Sequence, residues 1–144
     1  MQLSEHFTLE EMTQSQIGAR HGIDNTPSDQ EIDNLKRVCA MLEKVRALVG
    51  KPITVTSGYR AEAINSLLGS KNTSQHRLGC AADIKVAGMP IKQLFDAIIQ
   101  SDIEYDQIIL EYDAWVHISV PNTANDFCRH SKLVIDKSGT RAYS

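Results

Sequence analysis

Apolar and polar positions divide the chain into a helix-rich first half and a strand-rich second half. Ile32, Leu35, Val38, Leu42, Val45 and Val49 recur every three or four residues, the spacing that lines one face of an α-helix. Ser28 and Glu31 ahead of them form an S-x-x-E capping box and Gly50 behind them supplies a stop, so a helix is expected over 29–49. Thr8 and Glu11 repeat the capping signal and predict a short helix to about Ile17, after which HGIDNTP breaks regular structure. Further helices are expected over 61–68, closed by Gly69, and over 91–100, with Leu94, Phe95 and Ile98 facing inward. Strands are expected at 53–56, at AADIKV, at 106–111 and at 115–120. The last two are joined by a short YDA connection, the spacing of an antiparallel hairpin. LVID and TRAY, flanking Lys137-Ser138-Gly139, predict another hairpin, whereas SKNTSQH reads as loop. Helices followed by several strands indicate an α+β fold, with helices packed on one face of a mainly antiparallel sheet.

The chain has 144 residues, room for one domain over 1–144, and carries no repeat, linker or low-complexity segment. Its composition, 42% hydrophobic and 23% charged, excludes a disordered, collagen-like or disulfide-scaffold protein. A net charge of −3 without any Lys/Arg run gives no footprint for nucleic acid. No apolar run approaches the ~20 residues that span a bilayer. The start, MQLSEHFTLEEM, lacks the basic and apolar regions of a signal peptide. Three cysteines without a CxxC, one of them (Cys39) on the apolar face of a helix, point to reduced thiols and synthesis in the cytoplasm.

Two segments carry candidate chemistry. Ser74-Gln75-His76-Arg77-Leu78-Gly79-Cys80-Ala81-Ala82-Asp83 reads S-x-H-x-x-G-x-A-x-D, and Glu111-Tyr112-Asp113-Ala114-Trp115-Val116-His117 follows later. A catalytic zinc takes three ligands from His and Asp/Glu and keeps a position open; His76, Asp83 and His117 would fill that set. Small residues at Gly79, Ala81 and Ala82 let the backbone run close to another element. Alternation over 115–120 puts Val116, Ile118 and Val120 on the core face, so His117 joins Trp115 and Ser119 on the opposite, polar face. On spacing alone, satisfied structural histidines remain the competing reading. Cys128-Arg129-His130 offers only a lone C-x-H, a weak metal signal. Lys36-Arg37 and Lys44-Arg46 read as the wet side of the long helix.

With EHFTLEEM, TSGYR, SQHRLGCAADI and ILEYDAWVHIS in place, nearly the whole chain resembles the zinc D-Ala-D-Ala carboxypeptidases and L-alanyl-D-glutamate peptidases of bacterial peptidoglycan. Within that group it is most similar to small phage or prophage endolysin-type members. The resemblance implies a hedgehog/D,D-peptidase-like fold, Zn2+ as cofactor, and His76, Asp83 and His117 as its ligands. It implies Arg60, closing TSGYR, as a group that binds a substrate carboxylate, an interaction suited to a guanidinium. Ser74, Tyr59 and Trp115 are further candidates for contact with substrate. For the general base, Glu111 sits six residues before His117, the offset seen in the hedgehog domain; Asp113 is the alternative, because Ala114 occupies the position where several relatives carry glutamate. The resemblance thus implies a monomeric metallopeptidase hydrolysing peptidoglycan stem or cross-link peptides, without membrane insertion, acting on the wall after release from the cytoplasm. The rival is a non-catalytic zinc-containing module for wall binding or phage structure.

Overall fold

A computed structural model describes residues 1–69 and 74–143. Six helices, α1 (Leu9–Thr13), α2 (Gln16–His21), α3 (Asp29–Val49), α4 (Glu62–Leu67), α5 (Gln75–Leu78) and α6 (Ile91–Gln100), accompany six strands. The strands are β1 (Thr54–Ser57), β2 (Ala81–Lys85), β3 (Gln107–Glu111), β4 (Trp115–Ser119), β5 (Ser131–Asp136) and β6 (Gly139–Ala142). They form one sheet in the order β1-β2-β4-β3-β5-β6, in which β3 and β5 run parallel and the other neighbours antiparallel. The fold is α+β.

Both expected capping boxes form. Thr8 and Ser28 each accept from the backbone amide three residues on, and Glu11 and Glu31 reach back to the cap. The first helix nevertheless ends at Thr13 rather than near Ile17. Gln14 adopts an extended backbone, and Ser15 starts a second helix by accepting from the Gly18 amide. Asn25 consolidates the break by donating to the Thr13 carbonyl at 2.7 Å. SKNTSQH is not all loop either: Gln75 onward forms the short α5, while 70–73 lie outside the described residues.

The two longest helices, α3 and α6, cover one sheet face. Leu35, Val38, Leu42 and Val45 meet Leu94, Phe95 and Ile98, and both sets pack onto Ala82, Ile84, Ile108, Val116 and Ile118. Burying that many large apolar side chains, at about 1.5–3 kcal/mol each, drives the assembly and fixes the register. The alternation that sends Ile84, Val116 and Ile118 into the core necessarily sends Asp83 and His117 to the opposite face. There Ser57, Asp83, His117 and Ile109 fall in one row across four strands.

Not every basic residue of α3 is merely solvated, contrary to the sequence expectation. Arg37 is half-buried and donates to the Pro121 carbonyl at 2.8 Å and to Asn34 Oδ1 at 3.0 Å, tying the helix to the chain beyond β4. Among the described residues no helix is long and apolar enough to cross a membrane, and Cys39, Cys80 and Cys128 are free thiols.

Candidate metal centre

Asp83 and His117 are directly opposed on antiparallel β2 and β4, so their side chains leave the sheet side by side. His76 reaches the same point from α5. Ser74 caps that helix by accepting from the His76 amide at 3.3 Å, and Gly79 ends it in the left-handed conformation with φ 77°. A Cβ on Gly79 would lie 2.8 Å from the Glu31 carbonyl oxygen of α3, so the H-x-x-G spacing reflects a close crossing of two helices. The result is a tight set. Asp83 Oδ1 lies 3.2 Å from His76 Nε2 and 3.1 Å from His117 Nδ1, and the three donor atoms all lie within 4.8 Å of one another. The imidazoles meet edge-on with centroids 4.9 Å apart.

These distances suit a shared cation. A tetrahedral ion about 2.0–2.1 Å from each donor would separate neighbouring donors by about 3.3 Å. The outer contacts are also filled. His76 Nδ1 is 2.7 Å from the Gly58 carbonyl, which leaves Nε2 facing Asp83. Arg60 lies 3.4 Å from Asp83 Oδ2 through Nη2, and its Nε donates to Ser57 Oγ at 3.1 Å. Each oxygen of Asp83 therefore has its own side of the site. Burial alone would raise the Asp83 carboxyl, but the His76 and His117 rings outweigh it and hold it well below the usual carboxylate range.

Glu111 closes β3 on the same face, with Oε1 4.0 Å from His117 Nδ1. Its pKa is raised, first by burial and then by the Asp83 charge. Tyr112 and Asp113, at φ 55° and 53°, make the tight turn that follows and hold Glu111 opposite Trp115. Asp113 is exposed in that turn, and Trp115 is half-buried as the cross-strand partner of Glu111.

The sequence-predicted residues thus separate. His76, Asp83, His117, Glu111 and Arg60 come together, while Ser74 caps α5 and also lines the cleft beside His117. Tyr59 is 4% exposed within the core, its hydroxyl 3.4 Å from Arg77 Nη1. The expected polar face of His117 is covered: the residue is 8% exposed. The C-x-H candidate dissolves, with Arg129 on Asp106 and His130 Nε2 2.7 Å from Glu104.

Two groups escaped sequence reasoning. The Gly58 carbonyl is a backbone atom and leaves no residue-type signal. Asp106 is a buried hub that accepts from Gln75 Nε2 and from the Arg129 amide and guanidinium, and links the 121–130 segment to the helix bearing His76. Beside His117 opens a cleft of about 700 Å3, lined in part by Gln75, Gln107, Asn122, Phe127 and Arg129.

A family model for peptidase M15 matches residues 5–119. The chain belongs to the peptidase M15 family. All three members of the cluster, together with Arg60 and Glu111, lie inside the matched span of this M15 peptidase, and the cleft wall from Pro121 to Arg129 lies outside it. No curated protein matches the chain.

Proposed function

We propose that this M15 peptidase is zinc-dependent and hydrolyses amide bonds in the stem or cross-link peptides of bacterial peptidoglycan, as an endolysin-like enzyme made in the cytoplasm and acting on the wall after release. The observation that carries the reading is the convergence of His76 Nε2, Asp83 Oδ1 and His117 Nδ1, with the Glu111 carboxylate 4.0 Å from His117. His76, Asp83 and His117 would hold the ion. When bound, zinc supplies a Lewis acid that polarises an amide carbonyl and makes water more acidic.

The chain's own groups supply the rest. Glu111 takes the proton of the attacking water on its carboxylate and delivers it to the departing amine. In the metal-free protein its carboxyl pKa is raised by burial and by the neighbouring Asp83 charge. Arg60 acts through Asp83: it occupies Oδ2, which keeps Oδ1 turned to the two imidazoles. The Gly58 carbonyl performs the same service for His76. D-Ala-D-Ala and L-Ala-D-Glu linkages both fit this chemistry, and both place a carboxylate on the residue beyond the scissile amide.

Zinc-loaded protein incubated with purified murein sacculi is expected to release soluble muropeptides, detected and assigned by mass spectrometry. Release should stop with a chelator and return with zinc. Bound zinc without any release would contradict the enzyme reading and favour a non-catalytic wall-binding module.

A further inference from the structure

We infer that Arg129, on the cleft wall beyond the family-matched span, is the residue that receives the substrate's carboxylate, a role that the family resemblance implies for Arg60. The inference rests on the peptidase reading above and deepens it. Arg60 is poorly disposed for that task. Its side chain is 16% exposed, and its Nε and Nη2 already face Ser57 and Asp83. Turning it toward substrate would break both contacts.

Arg129 has the opposite disposition. Its side chain is 61% exposed and lines the cleft that opens beside His117. One edge of its guanidinium is spoken for. Nε lies 3.0 and 3.1 Å from the two Asp106 oxygens, and Nη2 is 2.7 Å from Oδ2. Asp106 is 4% exposed and also accepts from the Arg129 amide at 3.1 Å and from Gln75 Nε2 at 3.1 Å. Gln75 precedes His76 and further donates to Val120 O and Asn122 Oδ1, both at 3.0 Å.

A side-on pair through Nε and Nη2 leaves the Nη1/Nη2 edge, the other face of the fork that matches a carboxylate bidentately. Arg129 is therefore held at its stem by a buried acid and is available at its tip. Among the described residues it pairs with Asp106 alone, and Asp126, which lines the same cleft, forms no ion pair with it. The clamp reduces the side-chain entropy that binding would otherwise remove. It also fixes Arg129 relative to the helix that carries His76, so that a carboxylate at its tip and an amide at the metal centre have a defined separation.

The test compares two ligands on the zinc-loaded Glu111→Gln protein by chemical-shift titration: a soluble stem peptide with the free carboxylate on its D-residue, and the same peptide as the carboxamide. A charge-assisted contact predicts roughly fivefold to tenfold preference for the carboxylate form. Arg129→Gln should abolish the preference and Arg129→Lys should keep part of it. Loss of a merely structural arm would weaken both ligands equally and leave their ratio unchanged, which would overturn the inference. A ratio near one in the parent protein, or one that collapses in Arg60→Lys and not in Arg129→Gln, would overturn it as well. Because binding is read without turnover, failure here is distinct from failure of wild-type protein to release muropeptides.

Discussion

Glu111 and Asp83 lie on one sheet face with opposite pKa displacements, a contrast that agrees with the roles proposed for them. Asp83 is held ionised by two imidazoles, as a metal-holding carboxylate must be, whereas Glu111 is pushed toward protonation by burial and by Asp83, as a proton carrier should be. Glu111→Gln is expected to retain zinc and lose turnover by about 10²–10⁴-fold, with metal content and muropeptide release measured on the same preparation. Asp113→Asn should leave turnover intact, because that carboxylate is exposed in the turn. Asp83 also makes a prediction about acid stability. A carboxyl whose folded pKa is depressed stabilises the fold fully above its ordinary value of 3.8 and progressively less as pH falls below that value. Metal-free protein should therefore lose stability on acidification through this range, and Asp83→Asn should make the loss shallower in denaturant titrations at stepped pH.

Elements place these residues, and here the close approach at Gly58 is decisive. A Cβ at that position would clash with the Met12 carbonyl oxygen, which is backbone and cannot swing away. Gly58→Ala is expected to cost about 1–3 kcal/mol in chemical denaturation and to weaken zinc binding, because the Gly58 carbonyl orients His76. The segments most legible in the sequence were those with several agreeing signals: α3, with its capping box, apolar stripe and terminal glycine, and the β3–β4 hairpin, with two apolar runs joined by a short connection. Candidate ligands were legible because alternation in β4 sends Val116 and Ile118 one way and His117 the other. The break at Gln14–Ser15 and the four-residue α5 were not, because each depends on one side-chain cap and on tertiary contacts such as Asn25 to Thr13. The Arg60–Asp83 and Arg129–Asp106 pairs span 23 residues each, a separation at which residue order carries no local signal.

At the level of the molecule, the fold sorts burial and chemistry onto opposite faces of one sheet. Helices α3 and α6 close the apolar face. On the other face, β1, β2, β3 and β4 line up Ser57, Asp83, Ile109 and His117, and α5 delivers His76 to the row. The β5–β6 hairpin lies beyond the family-matched span. It extends the sheet alongside β3, and Tyr143 donates to Asp96 on α6 at 3.0 Å. The measurement that reaches furthest is zinc stoichiometry by native mass spectrometry, on wild type and on Asp83→Ala and His76→Ala. One zinc per wild-type chain, with none retained by either variant at the same free zinc, is the predicted result. A full complement of zinc in both variants would contradict the account.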